Sequence, residues 1–116
     1  MIEMKLTKIL IVLLMLCVAP SVSSFGGQLT SSQCSEAIEI YNDFIKAGFV
    51  GKKEYADYYV NEFQWNIMNV DQKRTVLIVL SSHYECTGGG AFRCEVYSYR
   101  TGKKLGKYGA FGAKFY

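Results

Sequence analysis

Proline occurs once in this 116-residue chain, at position 20, and histidine once, at position 83. With one histidine there is no imidazole cluster for a metal, and any histidine base has to be His83. No apolar run approaches the roughly 20 residues that a bilayer-crossing helix requires. Internal repeats and low-complexity tracts are lacking as well, and so is any close Cys-x-x-Cys pair. The glycine run Gly88-Gly89-Gly90 has no Gly-Lys-Ser/Thr after it and leads into Ala91-Phe92-Arg93, which excludes a phosphate-binding loop and marks a connector. No motif for a cofactor is present.

What is there begins with an export signal. Lys5 and Lys8 precede the apolar stretch Ile9 to Ala19, Pro20 ends it, and Ser21-Val22-Ser23-Ser24 supplies small residues for a peptidase. Cleavage is expected after Ser24, leaving residues 25–116 as one small domain in the periplasm or the secreted space. Cys17 sits inside the apolar run behind Leu16, where lipidation is not expected. In an oxidising compartment Cys34, Cys86 and Cys94 yield one disulfide and one leftover thiol. Proximity across the flexible glycine run selects Cys86–Cys94, with Cys34 left over.

Charge divides along the chain. Residues 86–116 carry Arg93, Arg100, Lys103, Lys104, Lys107 and Lys114 against Glu95 alone, a net +5, whereas residues 25–85 are net −3. The mature total of +2 is far below that of nucleic-acid binders, and no specific nucleic acid is expected as a partner.

Period assigns the fold class. Ala37, Ile38, Tyr41, Phe44 and Ile45 share one face of a helix from Gln33 to Ala47, with Ser32 as cap. Lys52 to Met68 reads as a second helix. Asn69 and Gln72 form a capping box for a third, Val70 to Tyr84, whose stripe holds Val76, Leu77, Leu80, His83 and Tyr84. Beyond the glycines the period becomes two. Phe92, Cys94 and Val96 alternate with Arg93, Glu95 and Tyr97, Arg100-Thr101-Gly102-Lys103 makes a turn, and Lys104 to Tyr108 returns, with a last strand from Ala113. Two to three helices followed by a three-stranded antiparallel meander is an α+β fold.

Three chemistries compete. His83, Cys86, Cys94 and Cys34 have the ligand count of a Cys₃His zinc site, but loose spacing and export oppose it, and no metal is expected. Gln33-Cys34-Ser35 at a helix start resembles the nucleophile segment of the NlpC/P60 cell-wall cysteine peptidases, which implies a hydrolase with Cys34 as nucleophile and His83 as base. That family carries its histidine on a strand, whereas His83 lies on an expected helix, and the activity is not carried over. The third reading is a non-enzymatic binding or inhibitory module. Its contact surface comprises Tyr97, Tyr99 and Tyr108 on an outward sheet face beside Arg100, Lys103, Lys104 and Lys107, and its partner is a protein or an anionic polymer. The carboxylate pairs Glu36/Glu39 and Asp57/Glu62 read as solvating charges, since acid–base work needs one of them held protonated.

Overall fold

A computed structural model describes residues 29–116. The leader, its cleavage site and Phe25 lie outside the described residues. The chain forms α1 (Ser31–Lys46), β1 (Val50–Glu54), β2 (Asp57–Val60), α2 (Glu62–Asn66), α3 (Val70–Tyr84), β3 (Cys94–Ser98), β4 (Lys104–Gly109) and β5 (Gly112–Phe115), with a π-helical turn at Glu85–Gly89 after α3. This is an α+β fold.

Both long helices start at reciprocal caps. Thr30 and Gln33 exchange side-chain and backbone bonds at the head of α1, two residues earlier than Ser32 would have placed it, and Asn69 and Gln72 do the same for α3. The branched run Thr75 to Leu80 stays helical because this cap fixes the first turn and because Val76, Leu77, Val79 and Leu80 are all buried.

The sheet has five strands in the order β1-β2-β3-β4-β5, two more than expected. Residues 94–115 form the antiparallel meander, while the stretch expected to be helical from Lys52 is an antiparallel hairpin up to Val60. Tyr58 and Val60 point inward and are fully buried, and Tyr59 points out. That two-residue alternation outweighs helix propensity once a second layer exists to bury it. Only Glu62 to Asn66 of that stretch is helical. β2 pairs in parallel with β3, so α2 and α3 form the crossover between them, and the sheet is mixed.

The described helices all cover one face of the sheet. Tyr41 and Phe44 of α1, Val76, Leu77 and Leu80 of α3, and Tyr58, Val60, Val96 and Leu105 of the strands make one core, which Trp65 closes. Trp65 lies over Gly106, where an added Cβ would stand 3.2 Å from its ring. Among the described residues nothing covers the opposite face.

The disulfide joins Cys34 to Cys86, with Cα atoms 5.6 Å apart, and among the described residues Cys94 is the free cysteine. The Cys86–Cys94 pairing is thereby corrected. Strand alternation sends Cys94 into the core beneath α3, where its Sγ donates to the Leu77 carbonyl at 3.3 Å, and Cys86 just beyond α3 is left to meet the start of α1. Burial pushes the Cys94 thiol up to about 12, so it is inert as a nucleophile.

A bridge spanning 52 residues constrains the unfolded chain more than a nine-residue loop would. Replacing Cys34 or Cys86 with Ser should lower unfolding free energy by about 4 kcal/mol. Urea titration measures this, and alkylation with peptide mapping should label Cys94 only after unfolding. Labelling of Cys34 in the native oxidised protein would contradict the pairing.

Candidate functional site

The expected contact residues fall into three groups. Tyr97, Lys104 and Lys107 lie on the uncovered face of the sheet. Tyr99, Arg100 and Lys103 occupy the exposed β3–β4 turn, where Gly102 takes a φ of 77°. Tyr108 is not on the outward face. It stands opposite Cys94 and packs against the core with its ring edge-on to Phe92. The cause is a bulge. Val96 pairs with Gly106 but Tyr97 with Lys104, so Leu105 is an extra residue that inverts the alternation. Lys104 and Lys107 can both face outward only because of it, and Tyr108 is turned in by the same step.

Beside the turn is a cleft of about 640 Å³ at the carboxyl ends of the parallel pair β2 and β3. Phe49 forms part of its lining, with Phe63 and Asn66 of α2 and Tyr99, Arg100 and Thr101 of the turn. The rings of Phe63 and Tyr99 stay open, at 61% and 60% exposure. Tyr99 is held in place by a gap in β1. The sheet register shifts between Val50 and Lys52, and a Cβ on the intervening Gly51 would stand 2.8 Å from the Tyr99 ring. Only glycine lets that ring lie against the β1 backbone.

The walls are tied together by Glu62, at the start of α2. Hydrogen bonds from Ser98 and Thr101, the latter at 3.3 Å, hold its carboxyl below the usual carboxylate range, with Lys103 nearby adding to the effect. Ser98 Oγ in turn accepts from the Thr101 backbone N–H at 3.1 Å. An aromatic-walled, pre-formed recess with a few fixed polar groups and a cation at its mouth is equipped to bind and orient. Tyr99 and Arg100 were expected from the sequence, whereas Gly51, Phe63 and Asn66 were missed, the latter two having been placed on a longer helix. The alternation of Asp57 to Val60 was the available signal for the hairpin that sets them.

The histidine has a different role. His83 is buried, its ring stacks on Tyr41 at 3.6 Å between centroids, and its Nδ1 is hydrogen-bonded to the Tyr58 hydroxyl at 2.8 Å. Burial, assisted by Lys53, lowers its pKa to about 4, and burial raises that of Tyr58. Cys34, the nucleophile of the hydrolase reading, has its sulfur in the disulfide. Among the described residues no group of three or more His, Cys, Asp or Glu side chains is placed to hold a metal ion.

The cluster imposes a pH dependence. Folded His83 stays neutral down to about pH 4, whereas the unfolded chain protonates it near 6.5, so the unfolded state binds more protons between those values. Its contribution is complete above about pH 6.5 and is lost as pH falls towards 4, by up to about 3 kcal/mol. Urea titrations at a series of pH values should show a loss over this window that His83→Gln largely removes. An unchanged slope in the variant would contradict the assignment.

No family model, curated protein or solved structure matches this chain, so its function rests on the geometry above.

Proposed function

We propose that this is an exported, non-enzymatic binding module whose ligand site is the cleft at the carboxyl ends of β2 and β3, and whose partner is an anionic polymer. The observation that carries this reading is the pair of half-open rings, Phe63 and Tyr99, facing a recess with Arg100 at its rim. Exposed aromatics cost solvation unless something covers them, and Gly51 and the Glu62 contacts keep this recess formed without a ligand. Arg100 and Lys103 supply fixed positive charge at the rim, and Lys107 extends it along the sheet, where Lys104 is paired with Glu95. Arginine's planar fork suits carboxylate, sulfate or phosphate groups. An intramolecular disulfide is compatible with the oxidising compartment to which the leader would direct the chain.

The test separates cleft binding from adsorption to a basic surface. The mature protein should bind sulfated dextran and not uncharged dextran, and added salt should weaken binding, since screening acts over roughly 8–10 Å at ordinary ionic strength. Arg100→Glu with Lys103→Glu should weaken it at least about tenfold, equivalent to about 1.4 kcal/mol. Tyr99→Ala and Gly51→Ala should each weaken it severalfold at an unchanged melting temperature, the latter because its methyl displaces the Tyr99 ring. If the charge variants matter and the cleft variants do not, binding is mere surface attraction and the cleft is not the site.

A further inference from the structure

The uncovered sheet face carries an ordered pattern that the cleft reading does not use. Cross-strand partners define two rows across it. The first runs Glu54, Asp57, Glu95, Lys107, Lys114 from β1 to β5, so that carboxylates occupy one side of the sheet and ammonium groups the other. The second runs Lys52, Tyr59, Tyr97, Lys104, with Tyr116 beside Lys104 at the far edge. Tyr59 and Tyr97 stack with centroids 5.4 Å apart, and Lys52 lies 5.2 Å from the Tyr59 ring. Within one copy this arrangement is poor. Lys52 pairs with Glu54 at 2.8 Å and Lys104 with Glu95, but Asp57 still stands between those two carboxylates and Lys107 beside Lys114, and such like-charged neighbours destabilise a sheet.

Reversed upon itself, the pattern becomes complementary. Two copies stacked face to face about a two-fold axis running along β3 align their strands and invert their rows. Glu54 then faces Lys114 of the second copy, Asp57 faces Lys107, Tyr59 faces Lys104 and Lys52 faces Tyr116. Only Glu95 and Tyr97, on the central strand, meet themselves, and Glu95 is already neutralised by Lys104 at 2.6 Å. The other two-fold stacking places acid on acid and base on base when its axis runs along the first row, and Lys107 on Lys104 when its axis runs midway between the rows. Sheets pack about 10 Å apart, a gap that opposed Lys and Glu side chains span together.

From this we infer that the uncovered face is a self-association surface, and that the protein forms an isologous dimer with the strands of the two sheets aligned. The face is polar and, at about 19 Å across five strands, small, which places the dimer in the weak, reversible class. An axis along the strands preserves their direction, so both clefts emerge at the same end of the dimer, side by side. The inference stands on the charge order of the face and is independent of what the cleft binds.

Sedimentation of the mature, disulfide-bonded protein from about 1 µM to 1 mM tests it. Monomer should give way to dimer as concentration rises, and salt should oppose this. Glu54→Lys and Lys114→Glu, on exposed sites of the two edge strands, should each raise the dissociation constant at least about tenfold while leaving melting behaviour intact. Mixed together, the two variants should recover association. In the mixed dimer the substituted position 54 of one variant faces the substituted position 114 of the other with opposite charge, and the native Lys114 of the first faces the native Glu54 of the second. A parent chain that stays monomeric at about 1 mM and low salt overturns the inference, and so does a dimer that neither substitution weakens or a mixture that fails to associate.

Discussion

The structure hangs on the parallel ladder between β2 and β3, in which Asp57 to Val60 pair with Glu95 to Ser98. Without it the chain would be a hairpin and a meander with no common sheet, and neither could bury its apolar face alone. Pairing the two in parallel requires a crossover, and α2 with α3 supplies it. That places Leu77 and Leu80 over Val96 and Tyr58, and leaves α1 to pack against α3, where the disulfide fastens the start of one helix to the residue just past the other. The carboxyl ends of β2 and β3 necessarily come side by side, and the cleft is the space between the loops that leave them. Ligand sites favour such ends in parallel sheets, because departing loops diverge there.

Legibility in the sequence follows how local each determinant is. Both long helices are readable because cap, stripe and stop lie within one segment, although α1 takes Thr30 and not Ser32 as its cap. The meander is readable from its alternation and from Gly102. The β1–β2 hairpin is not. Its turn is Tyr55-Ala56, with no Asn-Gly or Asp-Gly signal, and Tyr55 takes a φ of 55° that side-chain-bearing residues seldom adopt. Nor does a parallel ladder announce itself, since its two strands lie more than thirty residues apart and share no turn.

Parity explains the remaining differences at the site. A single extra residue, Leu105, decides whether Tyr108 faces the core or the outside, and nothing in the local pattern marks it, because Lys104, Leu105, Gly106, Lys107 and Tyr108 alternate acceptably in either register. What fixes the bulge is three-dimensional. A Cβ at Gly106 would crowd the Trp65 ring at 3.2 Å, and Leu105 is drawn into the core beside it. The same reasoning applies to the cysteines. Nearness in sequence favoured Cys86 with Cys94, but strand parity had already committed Cys94 to the interior.

The two faces of the sheet therefore answer to different constraints. On the inner face each position is set by volume, as the Trp65–Gly106 contact shows, and substitutions there cost stability. On the outer face the order of charges costs the monomer a few tenths of a kcal/mol for each like pair. The lysines of the second row intersperse the signs, with Lys52 paired to Glu54 and Lys104 to Glu95, whereas the row from Glu54 to Lys114 sorts them, an order that gains meaning when a second copy is laid against it in reverse. In the inferred dimer two clefts open in one direction on a rigid base. A polymer with repeating anionic groups would then meet two sites at once, the second at an effective concentration set by their fixed separation, and individually weak clefts would hold it firmly. Weak self-association and weak ligand capture reinforce each other in this arrangement, since whatever occupies both clefts also favours the dimer that aligns them.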